Sequence, residues 1–198
     1  MSLEQKYYND GQIIYESASG GASTTLNLQT SGRYQVICIG GGGGAAERYG
    51  GKPWVKHWSA TGGSGSGFDC VFMLTKGNYS VNVGNGGSGN LSTGVSGKVS
   101  DGGNSRFGDS YAYGGGGGNC SAGPALTAGA AGAAPTLAYT VISSALNRAG
   151  NSGQTATSGN ISGGASIYGS YGKGGDCLNN ASIVNGAAGY VKVIFLGK

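Results

Sequence analysis

Five consecutive glycines, Gly40 to Gly44, follow directly on the apolar run Tyr34 to Ile39. No other feature limits the fold as strongly. A glycine run has no side chain to bury, and ordering each backbone residue costs roughly 1–2 kcal/mol. Either it remains a flexible loop, or its amides and carbonyls find partners in other backbone. The run is not isolated. Gly114 to Gly118 is a second pure run, and looser ones begin at Gly62, Gly84 and Gly169. Glycines also recur at every third residue, at Gly129 and Gly132, at Gly150 and Gly153, and at Gly169, Gly172 and Gly175.

Three residues per turn is the period of polyproline II, which rises about 3.1 Å per residue and makes no internal hydrogen bonds. A five-glycine run in that form spans roughly 15 Å, with every polar group pointing outward. Neighbouring glycine helices packed without side chains can satisfy those groups, assisted by Cα–H···O contacts. Two readings follow from the periodicity: a packed bundle of glycine helices between β-strands, or a set of long disordered loops. Composition bears on the choice. The chain of 198 residues holds 45 Gly but only 3 Pro, which excludes a collagen-like chain. It is 38% hydrophobic and 10% charged with a net charge of +4, unlike the highly charged, apolar-poor chains that stay disordered.

Strand signals cluster at the two ends. Gly11 to Ser17 is short and β-branched, and Leu26 and Leu28 alternate with polar neighbours. A turn at Thr30 to Arg33 leads into Tyr34 to Ile39. Phe68 to Leu74, a turn at Lys76 to Asn78, and Tyr79 to Val83 read as a hairpin, and Gly189 to Lys198 closes the chain as a strand. In "TVISSALNRAG", Val141, Ile142, Ala145, Leu146 and Ala149 fall at helical spacing before Gly150, which predicts one short helix. The expected fold is all-β: one glycine-rich domain over 1–198, a β-sandwich of jelly-roll or TNF-like type, with at most one short α-helix. Its strands lie in about 11–39, 68–83 and 189–197, and polyglycine II helices and loops are inserted over about 40–67 and 84–188.

Several function classes fail on the residues. Gly41-x-Gly43-x-x-Ala46 after a strand formally fits a dinucleotide-binding turn, but Gly50, Gly51 and Pro53 prevent the helix that would hold the pyrophosphate. The phosphate-loop pattern also fails, since Pro53 follows Gly51-Lys52. His57, the one histidine, has no local carboxylate, so no hydrolase triad is expected. Lys and Arg are scattered, which speaks against nucleic acid. No apolar run reaches membrane-spanning length, and the N-terminus shows no signal peptide. No cofactor or metal is expected. Cys38, Cys70, Cys120 and Cys177 are far apart in sequence, so two disulfides and buried free thiols are both open.

The order of motifs is distinctive: "YQVICIGGGGG", then "GFDCVFMLTKGNYSVNVGNGGSG", "GGNSRFG" (Gly102 to Gly108), "YGGGGG" and a terminal "GAAGYVKVIF". It resembles the glycine-rich domain of bacteriophage and prophage tail-fibre proteins over about Arg33 to Phe195. A more distant likeness is to the extracellular glycine-rich region of anaplastic lymphoma kinase. The resemblance implies a β-sandwich with polyglycine II helices packed beside it, on a virion or at a bacterial surface. It implies a non-enzymatic adhesin whose partner is a bacterial cell-surface receptor, either a glycan or an outer-surface protein. Other tail-fibre or virion proteins are implied as further partners, and a homotrimer is the usual fibre assembly, although no trimerisation heptad is present. The competing reading is a structural or assembly component with no ligand of its own.

If the glycines are scaffold, recognition falls to displayed loops. Both tryptophans of the chain, Trp54 and Trp58, lie between Glu47 and Ser59 with Tyr49, Lys52, Lys56 and His57. Aromatic and cationic residues of this kind dominate binding hot spots. The bland alternative is that both tryptophans pack back as a lid. A second candidate is Tyr168, Tyr171 and Lys173, where the tyrosines could equally cover a glycine helix. Tyr111 and Tyr113 are assigned to the framework.

Overall fold

The computed structural model describes residues 8–48, 58–92, 96–120, 126–157, 160–178 and 182–198. Two antiparallel sheets face each other across one core. The first has the order β1 (Ile13–Ser17), β18 (Tyr190–Phe195), β3 (Gly32–Ile39), β6 (Gly67–Leu74) and β14 (Val141–Arg148). The second has the order β11 (Ser110–Ala112), β10 (Ser105–Phe107), β7 (Gly77–Asn82) and β2 (Ser23–Leu28). Alternation along each strand decides what faces inward. Val36, Cys38, Phe72 and Val193 of the first sheet meet Leu28, Val81, Phe107 and Ala112 of the second. Phe72 anchors this core, edge-on to Phe68 at 6.1 Å and to Tyr139 at 5.8 Å. The all-β sandwich expected from the sequence is the fold observed.

Two local expectations are corrected. Phe68 to Val83 is not a hairpin, because β6 pairs with β3 and β14 whereas β7 pairs with β2 and β10. Both arms carry one strongly apolar face, and placing them in opposite sheets buries the two faces against each other. The helix expected near Val141 is strand β14, an edge strand paired with β6 through two bulges. A helix this short is marginal by itself, whereas β6 offers a ladder of backbone partners and Val141 and Ile142 are β-branched. The helical spacing there was no burial signal: Val141 and Ile142 are 37% and 50% exposed.

A second group of short strands stands apart from the sandwich and is called the cap. One cap sheet has the order β15 (Thr155–Ala156), β5 (Trp58–Ala60), β4 (Ala46–Arg48) and β8 (Asn90–Ser92). Another is β13 (Leu126–Thr127), β12 (Asn119–Cys120) and β9 (Ser96–Lys98), and a third pairs β16 (Cys177–Leu178) with β17 (Ser182–Ile183). Extended segments join sandwich to cap. Residues 40–45 lead from β3 out to β4, 61–66 from β5 back to β6, and 83–89 from β7 out to β8. Segments 99–104, 113–118, 149–154 and 184–189 likewise connect a sandwich strand to a cap strand.

Hydrogen bonds identify these segments as polyglycine II helices. The amides of Gly40 to Gly44 donate in turn to the carbonyls of Ser66, Gly103, Ala187, Gly63 and Ser100. The accepting segment therefore repeats at every third residue, which is the polyproline II period. The carbonyls of Gly41 to Gly44 accept from Gly115, Gly87, Gly175 and Gly118, with the same repeat. One glycine helix is thus ringed by six others. Segment 61–66 behaves alike, its successive amides reaching Gln154, Gly175, Gly116, Asn151, Gly172 and Tyr113. Of the two readings left open by sequence, the packed bundle is the one found.

Such packing leaves no room for a side chain at the central glycines. A Cβ built on Gly42 would lie under 3.0 Å from the backbone of Lys173 and Gly172, and one on Gly43 as close to Gly116. At the bundle margins, where a neighbouring helix is missing, side chains stand in as acceptors. The carboxylates of Asp101 and Asp176 accept the amides of Gly117 and Gly163 at 2.7 Å, and the Asn104 amide oxygen accepts that of Gly114 at 2.9 Å. Burial pushes the Asp101 carboxyl up, but its bonds to Lys98 and to the Gly117 amide outweigh this and hold it below the usual carboxylate range.

Candidate functional site

The first sequence-predicted site falls mostly on undescribed ground: Tyr49, Lys52, Trp54, Lys56 and His57 lie outside the described residues. What is described is the frame that holds them. β4 ends at Arg48 and β5 begins at Trp58, and these two residues pair across the antiparallel ladder. Residues 49–57 therefore connect two paired cap strands, each of which continues into a central glycine helix of the bundle.

The Arg48 guanidinium carbon lies 5.2 Å from the centre of the half-buried Trp58 ring. Cation–π contacts of this kind contribute about 0.5–1 kcal/mol at exposed sites. Arg48 thus occupies one face of Trp58 and places a positive charge at the cap rim. Glu47, on the other side of β4, is only 2% exposed. Chemically this rim can meet an acidic or hydroxyl-rich ligand by hydrogen bonding and ring stacking.

The structure places the second candidate elsewhere. Tyr171 stacks on Tyr190 with ring centres 4.3 Å apart, and Tyr168 stacks on the same ring at 6.0 Å. Together they pack on Ile37 and Ile39, on the outer face of the five-stranded sheet. Lys173 begins a glycine helix and pairs with Asp176 at 2.6 Å. Tyr171 is at the sandwich end of that helix, roughly 15 Å of polyproline-type rise from the cap. The two candidate clusters are not one site. Tyr111 lies on framework strand β11, as assigned.

All four cysteines are buried free thiols. Cys120 and Cys177 lie on cap strands β12 and β16, and both sulfurs contact the Ala46 carbonyl, at 3.2 and 3.5 Å. Burial, with Glu47 adding to it, raises the Cys120 thiol to about 11 and the Cys177 thiol to about 12. Burial also raises Cys70, which donates to Ser144 Oγ at 3.3 Å. The thiolate is the reactive form, so the native protein at pH 8 should leave an aromatic disulfide reagent unconsumed over an hour. Four thiols should then react within seconds in denaturant. Rapid reaction of two thiols in the native state would contradict this burial.

Among the described residues, no group of three metal-ligating side chains could hold an ion. No helix among them is long and apolar enough to cross a membrane. Comparison with curated proteins finds no match. A model of the glycine-rich domain matches residues 17–196, nearly the whole sandwich, bundle and cap, and the chain belongs to that family.

Proposed function

We propose that the chain is a non-enzymatic binding module of the tail-fibre adhesin type, recognising a glycan or protein on a bacterial cell surface. The observation that carries this reading is the division of labour between bundle and cap. The central glycines admit no Cβ, whereas residues 49–57 link the paired cap strands β4 and β5. Both tryptophans, with Arg48, Lys52 and Lys56, lie in or beside that connection. Large aromatic anchors and cations on a rigid support bind with little ordering cost.

The test is binding of labelled protein to a panel of intact bacterial strains, beside a Trp54→Ala/Trp58→Ala variant shown to be folded by circular dichroism. Selective binding to some strains, reduced at least tenfold in the folded variant, is the expected result. A variant that no longer folds would show the tryptophans to be a lid. The second reading, a structural or assembly component, draws on the outer face of the five-stranded sheet, where Ile13 and Met73 are 49% and 54% exposed. Apolar exposure of that kind suits a protein partner. Failure to bind any strain, with self-association in solution, would favour it.

A further inference from the structure

The two sheets present unlike faces to solvent. On the four-stranded sheet, Leu26, Leu28, Tyr79, Val81 and Phe107 turn inward to the core, so the residues between them point out. The strand register lines these up in rows. Ser23, Asn82, Arg106 and Tyr111 form one row across all four strands. Thr25 opposite Ser80 and Asn27 opposite Asn78 add two shorter rows. None of these side chains is aliphatic or acidic, and only Arg106 is charged.

A solvated sheet face is ordinarily polar, but here the groups are also held in place. Asn27 Nδ2 donates to Asn78 Oδ1 at 2.6 Å, and Gln29 Nε2 donates to Asn27 Oδ1. Asn82 Nδ2 donates to the Asn104 carbonyl at 2.9 Å. At the far end of the long row, Arg106 Nη1 donates to the Tyr111 hydroxyl at 3.1 Å. The Tyr111 and Tyr113 rings lie within 17° of parallel, 6.3 Å apart, and the Tyr113 hydroxyl shares a hydrogen bond with Thr136 Oγ1 at 2.9 Å.

We propose that this face is a binding platform for a neutral oligosaccharide. It rests on the binding-module reading and supplies a ligand class for it, at a face separate from the cap. A pyranose presents adjacent hydroxyls, each both donor and acceptor, and an amide side chain carries both complements. Its C–H face stacks on a tyrosine ring, which supplies apolar area with a polar edge. Rows without carboxylates and with one cation complement an uncharged ligand. Side chains fixed beforehand lose little freedom on binding. Four strands at about 4.8 Å spacing give a row of roughly 14 Å, so the ligand is a chain of several sugars.

The test is titration of the intact protein with maltohexaose, cellohexaose, mannohexaose and N-acetylchitohexaose, with hexagalacturonate as the anionic counterpart. Calorimetry gives affinity and amide NMR the location. At least one neutral hexasaccharide should bind, with shifts centred on Asn27, Asn78, Ser80 and Tyr111. Affinity should fall at least tenfold in a Tyr111→Ala variant shown to be folded and in the exposed-site variant Asn78→Ala, and be retained in Trp54→Ala/Trp58→Ala. Binding of no neutral saccharide, tighter binding of hexagalacturonate, or affinity indifferent to both platform variants would each overturn the proposal. Cell binding without saccharide binding would sink this platform alone. Saccharide binding without cell binding would sink the adhesin reading alone.

Discussion

Replacing Gly42 with alanine is expected to lower the melting temperature by about 10 °C, although it adds a single methyl group. The new Cβ would meet the Lys173 carbonyl and the Gly172 backbone at under 3.0 Å. Neither is a side chain that can rotate away. Moving the segment that carries them would break the bonds from Ala187 to Lys173 and from Gly65 to Gly172. Overpacking a core usually destabilises by about 1–3 kcal/mol. A site ringed by backbone belongs at or above the upper end, about 3 kcal/mol. At about 2–4 °C per kcal/mol for a chain of this size, that is a shift of about 6–12 °C. Ala133→Ser, on an exposed position of the outer segment 128–134, should change stability by less than about 0.5 kcal/mol. Thermal melts of the two variants decide the matter. Equal melting would mean that the glycine helices are not packed as described.

That prediction shows what the sequence made legible. The run Gly40 to Gly44 required backbone partners, and period three pointed to the polyproline form, so the bundle followed from simple hydrogen-bond accounting. Strands β3, β6 and β18 were visible because their apolar runs are long, and in β3 and β18 rich in β-branched residues. The cap strands were not. β4 and β5 have three residues each, too few for any alternation, and they exist because the glycine helices bring Ala46 and Ala60 into register. The acceptor roles of Asp101 and Asp176 were hidden for a related reason. An aspartate beside a glycine reads locally as a turn former, and only the absent neighbour helix explains the bond. The helical reading near Val141 failed because spacing alone carries no information about what an edge of β6 offers. The sandwich face bearing Asn27, Asn78 and Arg106 left no sequence signal, since its members come from four strands spread over the chain.

Phe72→Ala should destabilise the protein by about 3–5 kcal/mol, as large aromatic truncations in cores do, and should loosen the bundle with the sandwich. The Phe72 ring is fully buried and touches Phe68 and Tyr139 edge-on. It lies on β6, which is the direct continuation of segment 61–66, and that segment donates to three neighbouring glycine helices. No described glycine helix closes on itself; the central ones begin or end in a strand of the sandwich. Losing the sandwich frees one end of each, and the lattice then has no side-chain burial of its own to offset the entropy of ordering glycine. The amides of Gly41 to Gly44 should accordingly exchange at the rate set by global unfolding in the native protein. In Phe72→Ala their protection should fall by the same 3–5 kcal/mol, a factor of about 10²–10⁴ in exchange rate. Protection of those four amides that survives Phe72→Ala unchanged would show the bundle to be stable by itself. The glycine helices would then be a folding unit rather than a lattice that the sandwich holds in place.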